Sequence, residues 1–389
     1  MHNLNKRKVL FIDHESGHGG SSISLYNKIK LISKENYEIT VVLREKSFIS
    51  KKYKEINVKI IYLKIPTITS LAKTIPNIMY FIKFSVIFFI FNFKNRKFYS
   101  SLNIYDNIHL NHENLYWLLK HIKKKTKSKI SMSIRTILKK SLFSKLQSNI
   151  INNFADKKLF ISEINQKKFN ELVRYKKKNN FILENFSLQT NKQNKFNTRK
   201  KFKEKFTIVS ISNYSHDRGL DRIVDIAKKF NDKNYKKINF SFIGDYKIKS
   251  LKNFIFKDPR KNLKTLAKKN NLKNIKFYGH KKNIYKYLRE ASILLYLPRT
   301  DSSWGRNIIE ALNFGIPVVT CGNSNILIEN NINGYFFKKY EIIKVFSYIE
   351  YLYHNRNEVS RMSIEAKQIS SKKYNTYKIK KKLVDFIEN

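Results

Sequence analysis

Apolar residues come in short compact runs separated by stretches of helical spacing, and this alternation recurs down most of the chain. Residues 8–13 (KVLFID) form the first run, which ends at a glycine-rich turn, SGHGGSS, and gives way to a helical pattern over 22–32. Further runs at 37–43 (YEITVVL), 59–63 (KIIYL), 108–110 (IHL), 129–134 (KISMSI) and 158–161 (KLFI) read as buried strands, with a helix near 115–122. Strands that alternate with helices of this length predict a parallel sheet covered on both faces, because parallel neighbours need a crossover.

Apolar periodicity vanishes between Leu188 and Lys205 (QTNKQNKFNTRKKFKEK) and then restarts, with strand candidates at 207–211, 238–243, 275–278, 293–297 and 318–320. The predicted architecture is therefore α/β, with two facing Rossmann-like doubly wound domains and a cleft between them. The expected boundaries are 1–195 for the first domain, 196–370 for the second, and 371–389 for a C-terminal helix that folds back onto the first domain. Ligands of such sheets bind beyond the carboxyl ends of the strands, where chemistry is to be sought.

The most apolar stretch, 78–93 (IMYFIKFSVIFFIFNF), is interrupted by Lys83 and falls short of the roughly 20 residues a spanning helix needs. Two readings stand: a core helix, or a helix that dips into the membrane interface with Lys94, Arg96 and Lys97 at its flank.

A length of 389 residues with 42% hydrophobic content suits two ordinary cores. The formal charge of +50 comes mostly from lysines spread along the whole chain. Such a diffuse excess reads as solvated lysines or as attraction to an anionic membrane rather than as a nucleic-acid footprint. Cys321 is the single cysteine, which excludes an intrachain disulfide. The opening MHNLNKRKVLFID shows no signal-peptide core, so the expected location is the cytoplasm, on the inner face of the plasma membrane if the membrane reading holds.

The clearest chemistry lies at 293–315. A buried strand, ILLYLP, is closed by Pro298, a polar loop follows over 299–304, and Gly305 opens a helix carrying Ile308, Ile309, Ala311 and Leu312. Free amides at a helix start, with its dipole, attract phosphate, and Arg306 adds a cation in the first turn. Asp301, Ser302 and Ser303 fit either this anion site or ordinary helix capping.

The order FYGH (277–280), EAS (290–292), ILLYLP, GRNIIEALNFGIPVVT and NGYFF resembles the donor half of the GT-B glycosyltransferases, family 4, also described as glycosyl transferases group 1. The segment 208–221 (IVSISNYSHDRGLD) is similar to that family's strand and Arg-Gly turn, and Gly19 and Gly20 match its glycine-rich acceptor-side loop. The resemblance implies two catalytic roles: Arg218 neutralises the leaving diphosphate and Glu310 contacts the donor ribose. It implies a donor-binding set of Gly19, Gly20, Gly279, Asp301, Ser302, Ser303, Gly305, Arg306, Asn307 and Ile308, with no metal or cofactor beyond the nucleoside-diphosphate sugar. Fixed cations and dipoles suit such a leaving group, and no DxD element is present.

Three positions depart from the pattern. Ser302 stands where relatives place a sugar-facing glutamate, Ser212 and Asn213 replace an expected arginine, and Arg135 with Thr136 stand where a histidine is common. His109, His112 and His18 are the alternative histidines. The resemblance implies a metal-independent, retaining sugar transfer to a glycan or lipid-linked glycan in surface polysaccharide synthesis. A GT-B nucleotide-sugar epimerase and a non-catalytic GT-B scaffold are the competing readings.

Overall fold

The computed structural model describes residues 6–17, 19–66, 78–138, 140–175, 179–188, 205–245, 259–281, 283–300 and 305–389, with the backbone alone over 78–84 and 259–262. The chain forms two compact units, Met1–Phe186 with Thr376–Asn389, and Ser187–Asn375. The boundary expected near residue 195 lies outside the described residues.

In the first unit the strands are β1 (Arg7–Ile12), β2 (Tyr37–Leu43), β3 (Lys59–Tyr62), β4 (Asn107–Leu110), β5 (Lys129–Ile134), β6 (Lys157–Phe160) and β7 (Asn180–Ile182). They pair in parallel in the order β3-β2-β1-β4-β5-β6-β7. Both faces of a parallel sheet are covered, which is why β4 and β6 are buried at every position, the polar Asn107, His109, Lys157 and Lys158 included. The helices between them are α1 (Gly20–Ile32), α2 (Phe48–Lys54), α3 (Ile78–Lys94), α4 (Arg96–Ser100), α5 (Tyr116–Lys123), α6 (Leu142–Phe154) and α7 (Glu163–Asn170).

The C-terminal helix Thr376–Glu388 belongs to this unit and buries Ile379, Leu383, Phe386 and Ile387, the spacing of a single helical face. Its last carbonyls, on Phe386 and Ile387, accept from Lys157 Nζ at 2.8 and 3.3 Å. Phe386 meets the rings of His109 and Phe181 edge-on.

α3 is not the buried core helix that one reading expected. Phe91 is buried and Phe88 packs edge-on against Trp117, but Val86, Ile87, Phe89, Ile90 and Phe93 are exposed. Full burial of such a side chain contributes about 1.5–3 kcal/mol, a term this face does not gain within its own unit. Among the described residues no helix is long and apolar enough to cross a membrane.

The second unit repeats the architecture with β8 (Phe206–Ile211), β9 (Ile238–Ile243), β10 (Ile275–Gly279), β11 (Ile293–Tyr296), β12 (Val318–Cys321) and β13 (Gly334–Phe337). All pairs are parallel, in the order β10-β9-β8-β11-β12-β13. The helix Leu220–Asp232 buries Leu220, Ile223, Val224 and Ala227, an i, i+3, i+4, i+7 stripe set on the sheet. In each sheet the strand order reverses direction at one place: between β1 and β4, and between β8 and β11.

Candidate functional site

In the second unit, the ends of β8 and β11 bring two predicted elements together at the point where strand order reverses, the usual ligand position in an open parallel sheet. After β8 the chain makes a tight turn, His216–Arg218, closed by Gly219 in the left-handed region (φ 64°, ψ 32°). A Cβ on Gly219 would stand 1.9 Å from the Leu297 carbonyl oxygen, so only glycine lets this turn lie against the end of β11.

Arg299 secures the same junction. Its amide donates to Asp217 O at 2.9 Å, its guanidinium to His216 O at 2.9 Å, and both of its terminal nitrogens grip the Asp221 carboxylate. Burial pushes the Asp221 carboxyl up, but the Arg299 hydrogen bond and charge outweigh it and hold the group below its usual value. Arg222 adds a bond to Pro298 O at 3.1 Å. Arg218 then reaches the Tyr296 hydroxyl at the end of β11.

From the other side, Gly305 is the N-cap of the helix Arg306–Asn313, and no side chain caps it. The Ile308 amide is used inside the helix, on Gly305 O at 3.0 Å, so the amides of Arg306 and Asn307 are the ones at the opening. Asn307 donates its side-chain amide to Ile211 O at 2.9 Å, which ties the helix start to the end of β8. Arg306 and Glu310 form an ion pair one helical turn apart, both mostly shielded from water. Phe314 stacks on Tyr285, whose hydroxyl is raised by burial and by the nearby Glu310 charge.

A helix opening, Arg218 and a carboxylate one turn in thus share the ends of two adjacent strands. Chemically, such an arrangement can hold a diphosphate and offer a carboxylate to sugar hydroxyls. Gly279 ends β10, two strands away at the sheet edge, with φ 70° and open space where a Cβ would sit. Asp301, Ser302 and Ser303 lie outside the described residues, as does His18.

In the first unit, the ends of β1 and β4 gather a polar network. Asp13, fully buried, accepts from Ser22 and from Asn111 Nδ2 at 3.3 Å, and desolvation raises its carboxyl despite these bonds. Gly19 caps α1 in extended conformation (φ −133°), and a Cβ there would fall 1.8 Å from Glu15 Oε2, which also accepts from Ser21. Gly20 is the first residue of α1. The start of α1 therefore already faces two carboxylates, a setting for hydroxyl groups rather than for a further phosphate.

Arg135 and Thr136, which replace the expected histidine, are tied into this framework. Arg135 reaches Asn185 Oδ1 at 3.0 Å, while the Arg135 amide (2.9 Å) and the Thr136 hydroxyl both donate to the buried Glu113 carboxylate. His109 is a core residue: its ring nitrogens meet Ser131 and Ser133 hydroxyls at 2.9 Å, and burial drives its basicity well down. His112 and His14 stand at the strand ends instead, their rings 4.5 Å apart. His14 carries no sequence signal beyond its place after the first strand, and Tyr296 was hidden as one aromatic in a buried run.

Residues 191–369 match the family described as glycosyl transferases group 1. No curated protein sequence matches the chain. Among solved structures, HepE of Anabaena in complex with UDP and glucose is similar at 17% identity over 98% of this chain and 100% of that one, with a TM-score of 0.77. Sucrose-phosphate synthase from Thermosynechococcus elongatus is similar at 12% identity over 97% and 98% of the two chains, with a TM-score of 0.74. A mutant of TarM from S. aureus, in complex with Fondaparinux, alpha-GlcNAc-glycerol and UDP, is similar at 13% identity over 98% and 100%, with a TM-score of 0.71. At these identities the likeness is one of fold.

Proposed function

We propose that the chain, whose residues 191–369 match the group 1 glycosyltransferase family, moves a sugar from a nucleoside diphosphate to a hydroxyl of a glycan or lipid-linked glycan. The observation that carries the reading is the meeting of the Arg218 turn and the Gly305 helix opening at the junction of β8 and β11.

In the proposed reaction the bond between the anomeric carbon and the diphosphate oxygen breaks. Negative charge grows on the diphosphate, where Arg218 and the amides of Arg306 and Asn307 stabilise it without reorganising. The acceptor oxygen bonds to the anomeric carbon on the face that the diphosphate leaves, its proton passing to the departing diphosphate, so that configuration is retained. Glu310, held in place by Arg306, takes the donor ribose. With cations and dipoles in these roles, the reaction as proposed uses no metal.

The paired carboxylates and hydroxyls at the ends of β1 and β4 are assigned to the acceptor side. We place the enzyme in surface polysaccharide or glycoconjugate synthesis at the cytosolic membrane face, where lipid-linked glycans are extended. The UDP and glucose held by HepE make uridine donors the first to screen.

The test is a panel of nucleotide sugars incubated with and without glycan acceptors, with release of nucleoside diphosphate followed by chromatography. Acceptor-dependent release from one donor is the expected result. Equal release without any acceptor would favour hydrolysis or epimerisation and contradict the transfer reading.

A further inference from the structure

α3 presents apolar residues on two opposite sides. Its inner side is filled: Phe88 and Phe91 meet Trp117 of α5 with ring centroids 4.7 and 6.0 Å apart. Its outer side carries Val86, Phe89, Ile90 and Phe93, which are 53%, 73%, 44% and 57% exposed. Their spacing of i, i+3, i+4 and i+7 makes one continuous stripe, the pattern that normally faces a core. Beyond α5, whose Tyr116 packs on Phe143 of α6, two more exposed apolar side chains follow, Leu142 and Leu146. An exposed apolar stripe such as that of α3 marks an interaction surface.

The charge around the stripe selects the partner. Lys94, Arg96 and Lys97 are exposed at its end, and the Arg96 guanidinium lies over the Phe93 ring at 4.1 Å. No acidic residue occurs between Ile78 and Tyr105, nor in α5 and the lysines that follow it, Lys124, Lys125 and Lys127. A second copy docked on this face by two-fold symmetry would set these cations against themselves, in a chain already at +50. An anionic bilayer answers both features, with an acyl boundary for the stripe and lipid phosphates for its cationic rim.

We propose that α3 is an interfacial helix that seats the first unit on an anionic membrane, with Val86, Phe89, Ile90 and Phe93 in the acyl boundary and Lys94, Arg96 and Lys97 on the headgroups. This deepens the reading of a lipid-linked acceptor by naming the surface that reaches it. The helix lies in the plane of the interface, and Phe88 and Phe91 keep it fastened to the unit through Trp117.

The experiment is flotation of the full chain with vesicles of phosphatidylcholine alone and of phosphatidylcholine with phosphatidylglycerol, at physiological salt. The protein is expected to float with the anionic vesicles. Partitioning should fall about tenfold or more in the double variant Phe89→Ser with Phe93→Ser. A similar fall is expected on anionic vesicles for Lys94→Ala, Arg96→Ala and Lys97→Ala combined, since each basic residue near the surface matters.

Thermal unfolding and nucleoside diphosphate binding by the same variants should match the unaltered protein, which separates this surface from the donor site. The proposal is overturned if the protein stays in the aqueous fraction, or if the phenylalanine variant floats as well as the parent. It is equally overturned if the parent is a dimer in solution that Phe89→Ser dissociates, because a second copy would then be the occupant.

Discussion

Arg218 donates from its guanidinium to the hydroxyl of Tyr296, which joins the turn after β8 to the end of β11. The long arginine side chain is thereby held at the strand ends before any ligand arrives, and such preorganisation lowers the ordering cost of binding. Tyr296→Phe removes the hydroxyl and keeps the ring. Nucleoside diphosphate affinity is expected to drop by about 0.5–1.5 kcal/mol, the net worth of one hydrogen bond, with little change in thermal unfolding. Calorimetric titration of both proteins measures it, and an unchanged affinity would mean that Tyr296 does not position Arg218.

Gly219 supports the same junction by having no side chain. Gly219→Ala forces a residue with a Cβ into the left-handed region and against Leu297 O. The loss of stability should exceed about 1 kcal/mol, because the backbone must move as well. A lower unfolding midpoint together with weaker nucleotide binding is expected; a midpoint equal to the parent's would show that the turn tolerates the shift.

The frame of this site could be read from the amino-acid sequence because its signals are local. Buried parallel strands leave compact, mostly apolar runs, and the strands 206–211, 238–243, 293–296 and 318–321 fall on them. β7 and β13 escaped notice: each is short, at a sheet edge, and β13 begins at a glycine. The contacts Arg218 to Tyr296 and Asn307 to Ile211 join residues 78 and 96 positions apart, and no periodicity encodes them. α3 was ambiguous for a different reason, since a helix that is apolar on both sides looks the same in sequence whether it is enclosed or half open.

Arg306 and Glu310 were given separate ligand roles by resemblance, yet they bind each other. The i, i+4 spacing favours that pair. Glu310 keeps a second carboxylate oxygen for a ribose hydroxyl, so Glu310→Gln should weaken UDP far more than a dideoxyribose analogue. A coupling of about 1 kcal/mol or more between the substitution and the ribose hydroxyls is expected in a double cycle. A coupling under about 0.3 kcal/mol would place the ribose elsewhere.

Lys157 gives a pH signature in the first unit. Burial lowers its ammonium to about 8, below the roughly 10.4 of a free lysine. Between these values the unfolded chain binds more protons than the folded one, so this group makes stability rise with pH from about 8 towards 10. The neutral amine still donates to Phe386 O and Ile387 O. Denaturant unfolding at pH 7.5 and 9.5 should show this increment in the parent and its loss in Lys157→Met. An identical pH response in both proteins would assign the effect to other groups.

The central claim, that the ends of β8 and β11 hold a nucleoside diphosphate, is tested most directly by calorimetric titration of UDP and GDP into the parent and into Arg218→Ala. The account predicts saturable binding of one nucleotide that weakens by roughly 1–3 kcal/mol in the variant, as expected for loss of a charge-assisted contact. Absence of nucleotide binding by the parent, or equal affinity in the variant, would contradict it.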